Sequence, residues 1–392
     1  MKDFLLWKNA KTLFYASSIA STWIWTPAIF VSSDKAYYSG LGGFLLFLIP
    51  NILTLILFAH FASVVRQKID GFTLTDAIKG AGKGQQRLHL AVSCIILICS
   101  TCVQLMGLHT LFVAWGDIPK WLSALTVSIM ALAMVWRDGL KGSILADYNK
   151  YFLMLFGGLV LLIAVLVDGG SINLAGRKPV PFMELLGAFG IPTIIGLLSA
   201  PYVDQTFWQR VFSIDKEKIK STFISSALMF GIIPAIFGLI GFCSVGGTEW
   251  SIAMAFQSFP LKVILAICVL CALVSTLDSN LCALSSIVCA DMKQSISIGR
   301  LSMIALLVVA SAVMVMTNLG ITDMFLIYGT IRTCVALPTI LIILNRYNPQ
   351  RLLYSTIVSV IVAPLGFIIS GGNWIFTVLA LIIPVFGYDR RK

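Results

Sequence analysis

The chain has 392 residues, of which 58% are hydrophobic and only 11% are charged, and its mean hydropathy is +0.95. A soluble domain cannot bury so much apolar surface and cover its exterior with so few charges, so the composition excludes that class and indicates an integral membrane protein. Long apolar runs recur, whereas short alternating segments do not, so the predicted fold class is all-α.

We predict about twelve transmembrane helices, since a helix needs about 20 residues to cross the hydrocarbon core. In chain order they lie near 12–32, 39–65, 89–115, 120–136, 145–167, 183–201, 221–245, 259–290, 299–318, 320–345, 352–370 and 373–388. The sequence contains no nucleotide-binding motif of the form G-x-x-x-x-G-K-[ST]. Transport would therefore draw on an ion gradient or be passive.

The 28 lysine and arginine residues outnumber the 17 acidic residues, which leaves a formal net charge of +11. If the N-terminus is cytoplasmic and the chain crosses twelve times, most basic residues fall on the cytoplasmic side, the last being Arg390, Arg391 and Lys392. This positive-inside pattern orients a membrane protein. We therefore expect a multi-pass protein of the cell (inner) membrane with both termini in the cytoplasm, in contact with the lipid bilayer and not with nucleic acid.

The first and sixth predicted spans carry helix-breaking residues near their middle. The first contains "YASSIASTWIWTPAIF" with Pro27, and the sixth contains "GIPTIIGLLSAPYVDQTFWQR" with Pro192 and Pro201. Proline lacks a backbone N–H and clashes with the preceding helical turn, so each span could break near the bilayer midplane and expose carbonyls. Transporters built from inverted repeats have such breaks at matching positions in their two halves.

These breaks suggest two halves of five helices each, covering 12–167 and 183–345, with two additional helices over 352–388. The chain, 1–392, would then form a single transmembrane transporter domain. The alternative is that prolines and serines are ordinary residues of membrane helices, where they are tolerated.

The eighth span contains the unusually polar stretch "VSTLDSNLCALSSIVCAD" (274–291). At about 100° per residue, one helix face carries Ala272, Ser275, Thr276 and Ser279. Asp278 lies on the flank of that face. Hydroxyls and carbonyls suit a hard cation such as Na⁺, by analogy with calcium and magnesium. Alternatively, the hydroxyls bond to their own helix or hold two helices together.

Several stretches resemble the sodium:solute symporter family. "VSTLDSNLCALSSIVCAD" is similar to its eighth core helix, whose pattern is S-[ST]-x-x-[DS]-x followed by a serine pair and an acidic residue. "DGLKGSILADYNKYFLMLFGG" (138–158) resembles the fifth core helix, "DQTFWQRVFSIDKEKIKS" (204–221) the sixth helix and its loop, and "AYYSG" (36–40) the start of the second. The resemblance covers roughly 12–345 and implies the leucine-transporter-type fold, which has a five-plus-five inverted repeat.

The resemblance implies a main sodium site with Na⁺ as the coupling ion. Its residues would be Ser21, Ile24, Ala272, Ser275 and Thr276. The carbonyls of Ser21 and Ile24 follow from an ungapped count back from Gly40. A slip of one residue would place them at Ala20 and Trp23 instead.

Some members of that family have a second ion site, which here would comprise Asp147, Asp278 and Ser279 together with Ser275. It would bind a second Na⁺ or a proton. A carboxylate in mid-membrane must be protonated, paired or bound to a cation, because a bare charge is costly there. Lys150 lies three residues after Asp147, so a local ion pair is the alternative.

The predicted solute site is strongly apolar. Its candidate residues are Trp23, Phe47, Asn51, Gln104 and Tyr202. A polyhydroxylated sugar would need more hydrogen-bonding partners than these residues offer, so we expect a small, partly apolar or aromatic solute. Arg332, in the tenth span, would either pair with an acid or contact an anionic solute, and Asp204 and Arg210 would act as gate or structural partners.

The leading functional prediction is Na⁺-coupled symport of a small organic solute by alternating access, with a monomer as the functional unit. Proton coupling is the first alternative, because Asp147 and Asp278 could titrate. A solute sensor that binds without transport is the second. We do not expect an enzyme, because the sequence contains neither H-E-x-x-H nor a nucleophile elbow.

Overall fold

The structure, a computed structural model, describes residues 2–8, 10–116, 118–244 and 251–389. Arg390, Arg391 and Lys392, which contribute to the predicted cytoplasmic charge, lie outside the described residues. Within the described ranges the chain is helical, and its one extended pairing is an isolated bridge between Tyr347 and Tyr388.

The α-helices, in chain order, are α1 (Lys2–Leu5), α2 (Thr12–Trp23), α3 (Thr26–Lys68), α4 (Leu74–Ala77), α5 (Lys83–Trp115), α6 (Lys120–Val135), α7 (Leu140–Val167), α8 (Phe182–Leu185), α9 (Ile191–Val203), α10 (Gln205–Ser213), α11 (Ile219–Cys243), α12 (Phe259–Ser286), α13 (Ile296–Met316), α14 (Ile321–Ile343), α15 (Pro349–Ile369) and α16 (Trp374–Ile382). The π-helical segments Leu186–Gly190 and Ile287–Asp291 and the 3₁₀ segments Ile252–Met254 and Ile383–Gly387 complete the set.

Nine helical segments of the described ranges are long and apolar enough to cross a membrane. The remaining predicted spans correspond to shorter elements: α6, and α16 with the 3₁₀ segment after it, are apolar helices of fewer residues. The first predicted span is divided between α2 and the beginning of α3, and a kink at Gly40, with φ 64°, separates that beginning from the second predicted span. The count of twelve crossings therefore stays a prediction.

The first predicted span breaks between α2 and α3. The N–H of Ile24 closes the last turn of α2 on the carbonyl of Ala20 at 2.7 Å, and Trp25 is extended before α3 starts. Pro27 occupies the first turn of α3, where its missing N–H costs nothing. The side-chain oxygen of Gln104 accepts the Thr26 N–H at 2.9 Å and so satisfies a donor that the break exposes.

The sixth segment breaks at Asp204, between α9 and α10, three residues beyond the predicted span 183–201. Asp204 has an extended backbone with φ −81° and ψ 117°, and both flanking residues are helical. Pro192 and Pro201 lie within α9 and do not mark the break themselves. The prediction of a broken sixth segment therefore agrees with the structure, while its position lies three residues after the second proline.

The helices α2, α7 and α12 pack against one another in the interior. Loops predicted on the same side of the membrane meet: Thr73 donates to Asp291 at 2.7 Å at one end, and the Trp115 indole donates to the Ala253 carbonyl at 2.7 Å at the other. This alternation agrees with the predicted order of crossings.

Candidate functional site

The predicted main ion site gathers around the C-terminal end of α2. Ser275 on α12 donates to the Ser21 carbonyl at 2.8 Å and to the Ala272 carbonyl at 2.9 Å. Thr276 donates to the Thr22 carbonyl at 3.0 Å. Two hydroxyls and three carbonyls from two helices therefore lie within a few ångströms of one another.

The Thr22 carbonyl was missed by the sequence analysis, which named Ile24 instead. The Thr276 hydroxyl meets Thr22, whereas Ile24 lies beyond, at the break itself. The alternative register included the Ala20 carbonyl, which accepts the Ile24 N–H that closes α2. The adjacent hydroxyls of Ser275 and Thr276 reach the adjacent carbonyls of Ser21 and Thr22. This match depends on how α12 crosses α2, which helical spacing alone does not reveal.

The predicted second ion site also comes together, but around basic side chains. Asp147 on α7 and Asp278 on α12 are fully buried. The Lys150 ammonium lies 2.9 Å from Asp147 Oδ1 and 2.5 Å from Asp278 Oδ2, so it bridges the two carboxylates. The local pair of Asp147 with Lys150 was foreseen as an alternative; the bridge to α12 was not.

Arg210 on α10 adds a second cation to this group. Its Nη2 lies 3.4 Å from Asp147 Oδ2 and donates to the Ser279 hydroxyl at 2.7 Å. Ser18 on α2 donates to Asp147 at 2.6 Å and accepts from Arg210 Nε at 3.1 Å. We call Asp147, Asp278, Lys150 and Arg210 the charge cluster. It joins α7, α10 and α12 next to the break in the sixth segment.

An aromatic cluster lines the two helix breaks. The rings of Trp23 and Trp25 stack with centroids 5.9 Å apart, and Phe207 on α10 contacts Trp23 edge-on at 5.2 Å. Phe325 on α14 lies 5.2 Å from Trp25 and 6.3 Å from Phe47. Two of the predicted solute residues, Trp23 and Phe47, thus belong to one aromatic group, with Phe325 as the link.

A buried ion pair closes one side of the aromatic cluster. Arg332 on α14 donates to both the Asp204 carboxylate and the Tyr328 hydroxyl. Its guanidinium carbon lies 5.4 Å from the Trp25 ring centroid and 6.0 Å from that of Trp23, a cation–π arrangement. Arg332 therefore pairs with an acid, Asp204, and this is one of its two predicted roles.

The other predicted solute residues make contacts of their own. Both polar atoms of Gln104 are engaged, because its oxygen accepts from Thr26 and its amide nitrogen donates to the Ser100 carbonyl at 3.2 Å. Asn51 is buried with its amide on the Phe47 carbonyl at 2.8 Å. Tyr202 packs on Phe58 at 5.4 Å and on Phe61, away from the indole pair.

Several polar atoms beside the aromatic cluster are buried without a hydrogen-bonding partner in the described part of the chain. They are the indole nitrogens of Trp23 and Trp25, Arg332 Nε and Asn51 Oδ1. An unpaired buried polar group costs about 1–3 kcal/mol. These three donors and one acceptor would suit hydrogen bonding to a ligand that carries mainly acceptor atoms.

The two ends of the molecule differ in how they are closed. At the end that carries α4, Gln205 accepts from the Leu74 N–H at 2.7 Å, donates to the Phe72 carbonyl and donates to the Ser286 hydroxyl at 2.9 Å. At the opposite end a cavity of about 720 Å³ opens between α14 and the segment around Phe189, with Lys35 on its wall.

Comparison with solved structures identifies the fold. A Na⁺-coupled sialic acid symporter, in a substrate-bound outward-open state, matches 97% of this chain and 89% of its own, with a TM-score of 0.79 and 16% identity. Mhp1, a nucleobase-cation-symport-1 family transporter with bromovinylhydantoin bound, matches 96% and 91%, with a TM-score of 0.62 and 13% identity. A manganese transporter from Eremococcus coleocola matches 97% and 88%, with a TM-score of 0.59 and 13% identity.

The chain therefore has the leucine-transporter-type fold of secondary transporters, and it is a multi-pass membrane protein. At these identities the likeness establishes the fold alone. No protein-family model matches the chain, and no curated protein matches it either. Membership of the sodium:solute symporter family therefore stays a prediction.

Proposed function

We propose that the chain is a secondary active transporter that carries a small organic solute together with Na⁺ by alternating access. The observation that supports sodium most directly is the convergence of the Ser275 and Thr276 hydroxyls on the carbonyls of Ser21 and Thr22. The fold supports the transporter class, and a similar structure belongs to a Na⁺-coupled symporter.

The end of α2 has the chemistry that a small hard cation requires. The last carbonyls of a helix have no partner within it, and the helix dipole places partial negative charge there. Ser275 and Thr276 now donate their protons to these carbonyls. A Na⁺ ion would replace those hydrogen bonds, because a hydroxyl that rotates its proton away offers a lone pair to the ion.

The solute site in this proposal is the aromatic cluster beside the same break. Trp23 lies one residue after Thr22, so an ion held by the Thr22 carbonyl and a solute held by the Trp23 ring would order the same segment. Positive coupling follows, since whichever ligand binds first bears the cost of ordering the break. The apolar walls and donor-rich polar atoms favour a small aromatic or partly apolar solute with acceptor oxygens.

Alternating access would use the difference between the two ends. The Gln205 contacts close the end that carries α4, which by the positive-inside rule is the cytoplasmic end. The cavity around Phe189 would then face outward. The same proposal includes this orientation, location in the cell (inner) membrane and cytoplasmic termini. It also includes function as a monomer and the two repeats, 12–167 and 183–345.

Uptake into proteoliposomes tests the function. The purified protein is reconstituted, and a panel of radiolabelled aromatic and apolar solutes is offered with an inward Na⁺ gradient, with an equal K⁺ gradient, and with a proton gradient. We expect one solute group to accumulate only with the Na⁺ gradient. Accumulation driven by the proton gradient alone would show that the coupling ion is a proton and not Na⁺. Saturable binding without accumulation would indicate a sensor.

A further inference from the structure

We propose that the ammonium of Lys150 and the guanidinium of Arg210 take the place of a second coupling cation, so that the protein binds one Na⁺ per cycle. Removing the Lys150 charge should then create a second cation site. This inference rests on the proposed Na⁺-coupled function and concerns its stoichiometry.

The position of Lys150 is that of an ion held by two carboxylates. Its Nζ lies 2.9 Å from Asp147 Oδ1 and 2.5 Å from Asp278 Oδ2, and both acids are fully buried. A metal ion between two carboxylates would occupy the same point. Lys150 itself is 7% exposed, so the ammonium is held by protein groups and has little contact with solvent.

The surrounding hydroxyls complete a polar shell. Ser143 donates to Asp278 at 2.7 Å and Ser18 donates to Asp147 at 2.6 Å, while Ser279 accepts from Arg210 at 2.7 Å. Each carboxylate therefore has one basic partner or more and one hydroxyl donor. Asp147 Oδ1 lies against the Lys150 ammonium as an ion pair but has no hydrogen-bond partner within the described residues.

Charge balance decides how many further cations this region accepts. Asp147 and Asp278 contribute two negative charges, and Lys150 and Arg210 contribute two positive charges. A Na⁺ ion added to the cluster would leave a buried positive charge without a counter-ion, which is strongly unfavourable. A variant that lacks the Lys150 charge would instead hold an uncompensated carboxylate.

The charge cluster also touches the proposed main ion site. Ser279, which accepts from Arg210, donates to the Ser275 carbonyl at 2.8 Å, and Ser21 Oγ donates to the Asp147 carbonyl at 3.1 Å. Coulomb interactions fall off slowly in a buried region. The net charge of the cluster should therefore affect Na⁺ affinity at the main site.

The experiment compares Na⁺ activation of solute uptake in the parent protein, Lys150→Gln and the double variant Lys150→Gln/Asp278→Asn. We expect Hill coefficients near one in the parent, approaching two in Lys150→Gln, and near one again in the double variant, whose cluster is neutral. Reversal potentials should show one Na⁺ per solute in the parent and two in Lys150→Gln. Lys150→Arg keeps the charge and should retain a Hill coefficient near one.

The outcomes separate this inference from the proposed function. If uptake by the parent protein does not depend on Na⁺, the proposed function is wrong. If the parent depends on Na⁺ with a Hill coefficient near two, only the inference is wrong. The same holds if the Hill coefficient of Lys150→Gln stays near one. If Lys150→Gln does not fold, Asp278→Asn decides. Its cluster carries an excess positive charge, so the half-saturating Na⁺ concentration should rise several-fold, and an unchanged value overturns the inference.

Discussion

Asp204, at the break between α9 and α10, forms a buried ion pair with Arg332 in the middle of α14. The pair therefore connects the break in the sixth segment to a continuous helix. The Tyr328 hydroxyl, one turn before Arg332, joins the same group. Removing either partner would leave the other charge buried and unpaired.

We expect Asp204→Asn to lower the free energy of unfolding by about 3–5 kcal/mol, the usual result of breaking one side of a buried pair. The double variant Asp204→Asn/Arg332→Gln should recover a large part of that loss. Thermal and denaturant unfolding in detergent measure both. Asp215→Asn is the control, because Asp215 and Lys218 form an exposed pair worth less than about 1 kcal/mol. Additive losses in the double variant would show that the two side chains do not depend on each other.

Thr276→Ala and Ser275→Ala should each raise the half-saturating Na⁺ concentration for uptake by roughly an order of magnitude, equivalent to about 1.4 kcal/mol. Each change removes one oxygen from a site with few, while solute affinity at saturating Na⁺ changes less. Thr222→Ala is the matched control, since that buried threonine bonds to the Lys218 carbonyl of its own helix at 2.7 Å. If both variants keep the parent's Na⁺ dependence, the two hydroxyls do not bind Na⁺ and only connect α12 to α2.

Trp23→Ala and Phe47→Ala should change which solutes compete for uptake, because both rings belong to the aromatic cluster. We expect aromatic competitors to lose more affinity than aliphatic ones, by several-fold, since stacking contributes about 0.5–1.5 kcal/mol beyond the area buried. Competition assays on folded protein measure this. Trp121→Ala, which removes a ring that is 60% exposed on the outside of α6, controls for the loss of a tryptophan. An identical competition profile in all three variants would place the solute elsewhere.

Gln205→Ala should loosen the end of the molecule that carries α4. Gln205 holds the Phe72 carbonyl and the Leu74 N–H, so its loss leaves one buried and one part-buried backbone group unpaired. Hydrogen exchange of residues 72–78 should become at least several-fold faster than in the parent. Gln294→Ala, whose amide makes an exposed contact with the Met292 carbonyl, should leave that exchange rate unchanged. Equal protection in Gln205→Ala would assign closure of this end to apolar packing.

The sequence by itself predicted the membrane helices, because the thickness of the hydrocarbon core requires long apolar runs whatever the fold. It also indicated that the first and sixth segments are broken, and in the first the break falls just before Pro27. In the sixth the proline argument gave the wrong position, because α9 continues through Pro201 and the break lies at Asp204. The adjacent hydroxyls of Ser275 and Thr276 were found for a similar reason: helical spacing determines which side chains share a face.

The tertiary structure alone decided which residues meet across helices. Helical spacing shows that Asp278 and Ser279 point to neighbours, but it does not reveal that those neighbours are Lys150 on α7 and Arg210 on α10. Likewise Asp204 is six residues from Arg210 in sequence, yet its partner is Arg332, more than a hundred residues away. Long-range pairing depends on how the helices pack, and packing is determined by the whole set of contacting faces and not by any one helix.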